Sequence, residues 1–460
     1  MTLFHPPAPP RQPDDTSALK TLALMRECPL TALRQRSYRM QMGRINLITR
    51  MVWLINDTAI VRRMLGDQTG RYPKGVMMSH VLSILVGNSS FISNGETWKR
   101  RRRIMDVAFG QAGVRRVFPL MRSAVDDMVA RLRTGAAAQV PVDVDVEMAH
   151  VTADIIYRTV FSQPLPRDEA TRIYKAFQRF QTEMARYGQR AIVRIPRIFS
   201  MLLLRRARHA AAEIRGALDP LIRTRLDAVA QGTDDHDDIL ATMIATADPE
   251  TGTHFTYDEL CEEVATLMLA GHETSSSTLA WSLYLLSHAP AIQARAHAEA
   301  IAVLAGRPAE FTGMKALTLI RNVFHEALRL YPPVPFMTRD LTEAEEMRGH
   351  KLKAGAIIYV SPWLLHRSER HWKEPEAFDP DRFERDESRE AQRAAYLPFS
   401  MGPRVCLGAA FAMQEATLIL AELVRHFQFD PADTPDPIPQ MRLSLRANQP
   451  IRLTVSMRDS

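Results

Sequence analysis

The stretch from Phe399 to Gly408 reads Phe-Ser-Met-Gly-Pro-Arg-Val-Cys-Leu-Gly and places Cys406 between a Gly-Pro loop and an apolar-periodic segment. At a helix start, unpaired backbone N–H groups and the helix dipole favour the thiolate, which is the form that binds metals. Gly402 and Gly408 allow the backbone to approach a large flat ligand, and Arg404 can supply positive charge to an anionic group of that ligand. No second cysteine lies nearby, which argues against a zinc or iron–sulfur site. Two interpretations stay open: a buried structural cysteine, or a thiolate on an iron that four macrocycle nitrogens already hold.

The composition is that of a large globular protein, and it excludes disordered, fibrous and disulfide-rich classes. The chain has 460 residues, 46% apolar and 24% charged, with 59 Lys and Arg against 52 Asp and Glu for a net charge of +7. Cys28, Cys261 and Cys406 are too few and too far apart to cross-link it, so no oxidising compartment is required. No apolar run approaches the roughly 20 residues of a membrane span. Residues 1–17 form a proline-rich, extended polar arm without a targeting signal, which predicts a cytoplasmic protein.

The apolar periodicity predicts a mainly helical protein with a few short strands. Helical patterns cover Thr97–Phe109, Val117–Thr134, Val144–Phe161, Arg167–Tyr187, Arg205–Gln231, Thr256–Ser287, Ile292–Leu304, Met314–Leu330 and Cys406–Phe427. Strand patterns cover Leu47–Val52, Ala59–Val61, Ala356–Val360 and Ile451–Val455. Prolines interrupt the stretch from Pro332 to Gly402, which therefore consists of short strands and irregular loops.

One predicted helix is unusually long. Thr256 and Glu259 form a capping box, and the helical pattern continues from there for about thirty residues to Pro290, well beyond the usual ~11–12. Gly271 lies in its middle, where glycine costs ~1 kcal/mol relative to alanine. Either Gly271 permits close helix packing, or it makes room for a ligand, with Thr274 perturbing the backbone hydrogen bonds.

Four motifs, in this order along the chain, resemble those of the cytochrome P450 family. They are the Trp-x-x-x-Arg pair Trp98 and Arg102, the oxygen-activation motif Ala270-Gly271-His272-Glu273-Thr274, the Glu-x-x-Arg motif Glu326-Ala327-Leu328-Arg329 followed by Phe378-Asp379-Pro380-Asp381-Arg382-Phe383, and the haem-binding loop 399–408. The resemblance runs from about residue 40 to the C-terminus. It implies one catalytic domain over residues 18–460, mainly α with small β-sheets (α+β), with a long central helix over a haem and a Cys-ligand loop beneath it.

The resemblance implies haem b as the cofactor, with Cys406 as the ligand of its iron. The implied cofactor-binding residues are Trp98, Arg102, Ala270, Gly271, Arg339, Phe399, Gly402, Arg404, Cys406 and Gly408. Trp98, Arg102, Arg339 and Arg404 match positions that donate to the haem propionates, which would otherwise be buried unpaired charges. Without the resemblance, Trp98 and Arg102, four residues apart, would indicate only a solvated or partner-binding helix face.

The resemblance also assigns roles to polar residues on two helices. Thr274 would hold and orient dioxygen and its water, and Glu273 would relay protons. His272 would point away from this site and bind no iron. Glu326, Arg329 and Arg382 would form a buried structural network beneath the haem. Taken alone, each set would be an ordinary polar pair on an exposed helix turn.

Two arginine-rich segments suggest partners. The run Lys99–Arg103 lacks interleaved aromatic residues, so we expect no nucleic-acid binding. It is either a solvated helix face or a docking site for an acidic electron donor, a ferredoxin or flavodoxin served by an NAD(P)H-dependent reductase. The segment Arg186–Arg208 mixes arginines with apolar residues and corresponds to the family's mobile lid. This segment either makes transient contact with a membrane or is an ordinary core helix with exposed arginines.

The expected activity is that of a haem-thiolate monooxygenase. It would activate O2 with two electrons from NAD(P)H and hydroxylate or epoxidise a lipophilic molecule such as a fatty acid, terpenoid or steroid. The expected pocket walls, besides the loop after Tyr72, are Leu267, Ala270, Thr274, Val334, Phe336 and Met337. The alternatives are a peroxide-driven peroxygenase or isomerase on the same haem, and a non-catalytic haem-binding sensor.

Overall fold

The computed structural model describes residues 3–47, 50–136, 140–191 and 197–458, and these ranges are mainly helical with small separate sheets, as predicted. The helices are α1 Ala18–Glu27, α2 Thr58–Leu65, α3 Val76–Val86, α4 Gly95–Phe109, α5 Gln111–Ala136, α6 Val144–Phe161, α7 Arg167–Ala191, α8 Arg197–Ala230, α9 Ile239–Ala245, α10 Tyr257–Ser287, α11 Pro290–Leu304, α12 Thr318–Leu330, α13 Pro362–Leu365, α14 Arg389–Ala395 and α15 Ala409–His426. The strands are β1 Met42–Leu47, β2 Arg50–Ile55, β3 Val142–Asp143, β4 Met337–Asp340, β5 Glu345–Met347, β6 His350–Leu352, β7 Ile357–Val360, β8 Phe427–Pro431, β9 Pro439–Met441, β10 Leu445–Ala447 and β11 Arg452–Met457.

Helix α10 runs through the centre of the main core. Thr256 caps it, and the reciprocal bonds with Glu259 form the predicted capping box. Its 31 residues span about 46 Å at ~1.5 Å per residue. It packs against α6, α8, α12 and α15, so most of its length is buried on all sides. The prediction of a long helix that crosses the molecule is confirmed.

The strands form four small sheets. The largest has the order β1-β2-β7-β4, in which β2 and β7 pair in parallel and the other neighbours pair antiparallel. A second sheet has the order β3-β11-β8, and β9 with β10 and β5 with β6 form two hairpins. A smaller hydrophobic cluster lies against the largest sheet, apart from the main helical core. The stretch Pro332–Gly402 consists of short strands, short helices and loops, as its prolines predict.

Several predicted element boundaries are wrong. The apolar run Leu47–Val52 is not one strand, because Leu47 closes β1 and pairs with Arg50 at the start of β2, and no glycine or proline marks the reversal. The predicted strand Ala59–Val61 is part of α2, whose first N–H groups are bound by the Asp57 carboxylate. The predicted helix Met314–Leu330 is a 3-10 turn followed by α12. Helix α15 begins at Ala409, three residues after Cys406.

The N-terminal arm is extended, as predicted, but it packs against the body of the protein. Phe4 forms a β-bridge with Phe378, and its ring stacks on His288 with centroids 4.8 Å apart. The arm also contributes Arg11, whose guanidinium pairs with the Glu376 carboxylate. The arm is therefore a structural part of the protein.

The predicted lid Arg186–Arg208 includes residues 192–196, which lie outside the described residues. The flanking helices α7 and α8 pack against each other. The prediction of membrane contact by this segment stays a prediction. In the described part of the chain, no helix is both long and apolar enough to cross a membrane.

Candidate active site

The loop before α15 presents Cys406. A 3-10 turn spans Gly402–Arg404, and the Cys406 N–H donates to the Phe399 carbonyl over 2.9 Å. This loop leaves Cys406 exposed, whereas Cys28 is buried and Cys261 is intermediate. The expectation that Cys406 opens the helix is therefore corrected, because Gly408 is the residue that caps α15.

The surrounding protein does not ionise Cys406 by itself. Desolvation raises the pKa of the Cys406 thiol, while a backbone hydrogen bond from Gly408 and the charges of Arg102 and Lys74 oppose that rise. A metal cation bound to sulfur would replace the proton and remove this cost.

The three glycines predicted to contact a cofactor differ in what surrounds them. A Cβ on Gly408 would meet nothing within 4 Å, which leaves space beside the cysteine. Gly402 has a φ of +69°, and a Cβ there would lie 2.1 Å from the Leu65 carbonyl oxygen, so close approach to α2 already requires glycine. A Cβ on Gly271 would lie 3.3 Å from the side chain of Ile156 on α6. Close helix packing therefore accounts for Gly271.

Four cations, Lys74, Arg102, Arg339 and Arg404, gather near Cys406, and we call them the basic cluster. Three of them were predicted from sequence. Lys74 was missed, because it stands alone after the Tyr72–Pro73 loop and long-range contacts bring it into the site. It forms a β-bridge with Arg339, and its N–H donates to Asn94 Oδ1, which also accepts from Arg404. The Arg404 guanidinium lies 3.8 Å above the Trp98 ring, so the predicted pair of α4 does reach the cysteine loop.

Among the described residues, three of the four cations in the basic cluster, Lys74, Arg339 and Arg404, have no carboxylate partner. Arg102 donates to Asp106 over 2.7 Å and to the Val405 carbonyl over 2.7 Å. Arg404 donates to a neutral amide, that of Asn94, and its buried Nη1 has no partner in the part of the chain that the structure describes.

The pKa values of the basic cluster reflect this excess of positive over negative charge. Desolvation and the charges of Arg339 and Arg102 lower the pKa of Arg404 to about 9. Desolvation and the charges of Arg404 and Arg339 lower the pKa of Lys74 to about 7. Burial also lowers the pKa of Arg339. A bound dianion would relieve all of these costs, so the residues present fit a ligand that brings carboxylates to the cations and a metal to Cys406.

The basic run Lys99–Arg103 does not form the free positive patch that the sequence suggests. Every one of its five side chains has an acidic partner. The pairs are Lys99 with Glu96, Arg100 with Glu259, Arg101 with Glu259, Glu262 and Glu263, Arg102 with Asp106, and Arg103 with Asp248 and Glu250. Most of this charge is therefore compensated within the protein, and Arg101 ties α4 to α10.

The middle of α10 contains a short accessible stretch in a helix that is otherwise buried from Glu263 to Ser287. Ala270, Gly271 and Thr274 are half-exposed, and Leu267 one turn earlier is 8% exposed. The spacing of Ala270 and Thr274 places them on one side of the helix. Thr274 Oγ1 donates to the Ala270 carbonyl over 2.8 Å, which fixes the orientation of the hydroxyl.

The two residues before Thr274 are buried. The Glu273 carboxylate accepts from Ser444 Oγ at 2.6 Å and from Arg446 Nε at 3.0 Å, both in the C-terminal part of the chain. His272 Nδ1 lies 2.5 Å from the Met268 carbonyl oxygen, and its ring packs on Phe177. Burial lowers the pKa of His272. The buried ring does not share the accessible side of α10.

Glu326, Arg329 and Arg382 form a fully buried network at the end of α12. Arg329 Nε donates to Glu326 Oε2 over 2.7 Å, and Arg382 Nε donates to Glu326 Oε1 over 2.9 Å. Burial alone would raise the pKa of Glu326, but the two arginines lower it. Arg329 also donates to the carbonyls of His366, Pro375 and Ala377, so the network holds the irregular segment in place.

The structure places the predicted pocket residues on separate elements. Met337 opens β4, and Phe336 just before it meets Tyr359 edge-on. Val334 is 44% exposed. Tyr72 is buried and donates to Glu345, and its pKa is raised to about 12 by burial and by that carboxylate.

Comparisons with known proteins show the family of the chain. A family profile described as Cytochrome P450 matches residues 30–455. Cyclooctatin synthase from Streptomyces melanosporofaciens is 31% identical over 94% of this chain and 92% of its own, and cyclooctat-9-en-7-ol 5-monooxygenase from the same organism is 30% identical over 92% of each. Pentalenene oxygenase from Streptomyces avermitilis is 29% identical over 75% of this chain and 74% of its own. The chain belongs to the cytochrome P450 family of haem-binding oxidoreductases.

Proposed function

We propose that this protein is a haem-thiolate monooxygenase that hydroxylates or epoxidises a terpenoid, with Cys406 as the ligand of the haem iron. The observation that carries the proposal is the basic cluster around the accessible Cys406. Among the described residues, three of its four cations have no carboxylate partner. A thiolate-bound haem, when present, supplies the reductive activation of O2.

The basic cluster would hold the cofactor. Arg102, Arg339 and Arg404 would donate to the propionates, with Lys74 as a fourth cation and the Trp98 indole beneath Arg404. Charge-assisted bonds of this kind are stronger than neutral ones and would compensate the costs of burying these cations. Phe399 and Gly408 would border the sulfur, where the loop is fixed and the space is open.

The accessible stretch of α10 would face the reacting oxygen. Thr274 Oγ1, oriented by its bond to the Ala270 carbonyl, would accept a hydrogen bond from a water and so hold that water beside the dioxygen. Glu273, one residue earlier, would exchange protons with this hydroxyl and its water. The buried residues around Glu273 would keep other water out.

The proposed substrate class follows from the relatives. Three bacterial relatives bear names that refer to cyclooctatin, cyclooctat-9-en-7-ol and pentalenene. The predicted walls around Leu267, Phe336 and Met337 are apolar and suit such a skeleton. Fatty acids and steroids fit the same chemistry and serve as competing substrates in the test.

The proposed electron source is a separate ferredoxin or flavodoxin with an NAD(P)H-dependent reductase, in the cytoplasm. Because the run Lys99–Arg103 is compensated by its own acidic partners, long-range steering by this run is weak. We therefore expect the partner to recognise the surface beside the Cys406 loop mainly by short-range contacts.

The proposed function is tested with the wild-type protein and C406S. The wild type should give the thiolate-type absorption of the reduced carbon monoxide complex and should oxidise cyclic terpenes when supplied with ferredoxin, reductase and NADPH. C406S should lose both. Product formed from peroxide alone, without NADPH, would instead support a peroxygenase. A normal carbon monoxide spectrum with no product from terpenes, fatty acids or steroids would support a haem sensor.

A further inference from the structure

The C-terminal hairpin, residues Pro439–Ala447 with strands β9 and β10, contacts α10 at the predicted proton-relay residue. Ser444 Oγ and Arg446 Nε both donate hydrogen bonds to the same oxygen of Glu273, Oε1. The Glu273 side chain is 4% exposed and that of Arg446 is 15% exposed. The ion pair is therefore largely withdrawn from water, where a charged pair is costly to keep unless it has a function or excellent geometry.

Two further hydrogen bonds, besides this ion pair, hold the hairpin. Ser277, one turn after Glu273 on α10, donates to the Leu445 carbonyl over 2.6 Å. The Leu445 N–H donates to the Pro333 carbonyl over 2.9 Å, just after α12. These two bonds already fix the hairpin between α10 and the segment after α12. Arg446 adds an ion pair with the Glu273 carboxylate, and its charge also acts on the carboxyl of Asp145 in the first turn of α6.

We propose that Arg446 is a positioning residue for proton delivery: with Ser444, it holds Glu273 Oε1 on the hairpin, so that Oε2 is the oxygen that exchanges protons toward Thr274. This inference rests on the proposed function and adds two residues that belong to none of the four sequence motifs. Glu273 immediately precedes Thr274, and the accessible stretch of α10 begins one turn earlier at Ala270. A carboxylate held at one oxygen keeps a fixed direction for the other, as supporting partners do for catalytic groups.

The test compares R446Q with R442Q in the holoenzyme. Arg442 lies in the same hairpin, is exposed, and makes no contact with Glu273. Each variant is supplied with O2, NADPH, ferredoxin and reductase, without an added substrate, and the hydrogen peroxide released per O2 consumed is measured. Misdirected protons release peroxide, whereas correct delivery yields water. We expect R446Q to form water about tenfold more slowly, with a changed solvent deuterium isotope effect, and R442Q to match the wild type.

Two further measurements separate positioning from simple structural support. R446K keeps the cation and should restore most of the water yield. The carbon–oxygen stretch of the reduced carbon monoxide complex, which senses donors on the α10 side of the haem, should shift in R446Q and return in R446K. Equal peroxide yields and stretches in R446Q and R442Q would overturn the proposal.

Failure of this inference can be distinguished from failure of the proposed function. If the wild type itself lacks the thiolate-type absorption or consumes no O2, the proposed function fails, and this inference fails with it. If the wild type is active and only the R446Q result is negative, this inference alone fails. Should R446Q not fold, S444A decides: more peroxide with an intact carbon monoxide band supports the proposal, and a wild-type yield overturns it.

Discussion

Single residues in the core show how far burial shifts ionisation. Glu415 on α15 is fully buried and accepts a hydrogen bond from Ser275 on α10. Its Oε2 has no hydrogen-bond partner among the residues that the structure describes. Burial raises the pKa of Glu415 to about 8. The carboxyl therefore stays protonated in the folded protein at a pH where the unfolded chain, with a pKa of about 4.3, has lost the proton.

We expect E415Q to stabilise the protein at pH 8 but not near pH 5. The folded state binds more protons than the unfolded state between about pH 4.3 and 8, so the free energy of unfolding falls as the pH rises through that window. Glutamine keeps the shape and cannot ionise, so it should gain about 1–3 kcal/mol at pH 8. Urea unfolding at both pH values measures the difference.

The matched control is E422Q on the same helix, because Glu422 pairs with Arg425 and His426. That variant should show no gain at pH 8. An E415Q protein whose stability follows the wild type at both pH values would contradict the protonated state of Glu415.

At the scale of elements, α4 and α10 are joined by an ion-pair network. The Arg101 side chain is 5% exposed and contacts Glu262 Oε2 at 2.8 Å and Glu263 Oε1 at 3.1 Å. Glu263 is fully buried and also accepts from the backbone N–H and the hydroxyl of Ser90. The helix that carries Trp98 is thus fixed to the helix that carries Thr274.

Replacing Arg101 should be far more costly than replacing its neighbour Lys99. R101M leaves Glu263 as a buried charge without its cation, and we expect a loss of about 3–5 kcal/mol in the free energy of unfolding. K99M breaks only a surface pair with Glu96 and should cost about 0–1 kcal/mol. Urea unfolding of both variants at neutral pH is the measurement, and similar values would show that Arg101 is not a structural tie.

At the scale of the whole molecule, the N-terminal arm joins parts of the chain that are far apart in sequence. The Phe378 N–H donates to the Phe4 carbonyl over 2.8 Å, and the Tyr331 hydroxyl donates to the Pro7 carbonyl over 2.9 Å. Arg11 pairs with Glu376, which in turn contacts the buried Arg367. The arm thereby supports the segment next to the Glu326 network.

We expect F4A to lower the stability of the whole protein, because the ring of Phe4 packs on His288 and Tyr284. The ring is only partly buried, so the loss should be about 1–3 kcal/mol, below that of a core phenylalanine. H5A is the control, since His5 is exposed. Equal melting temperatures for F4A and H5A would mean that the arm contributes nothing to stability.

Sequence patterns predicted what depends on local periodicity and on contiguous motifs. The capping box and α10 follow from Thr256 and Glu259, and Cys406 stands out in its own loop. Such patterns do not predict contacts between residues that are far apart in sequence. No local signal indicates that Lys74 pairs with Arg339 or that Arg446 pairs with Glu273. The compensation of the positive charges of Lys99–Arg103 could not be predicted for the same reason, because most of the acidic partners lie more than a hundred residues away in sequence.

The basic cluster also has a consequence for how the protein is made. Its members come from the loop after Tyr72, from α4, from β4 and from the turn before Cys406, so the last of them leaves the ribosome long after the first. Loop closure over such separations is slow compared with local helix formation. If the basic cluster holds the haem as proposed, we expect a growing chain to bind the haem only after the turn before Cys406 has been synthesised.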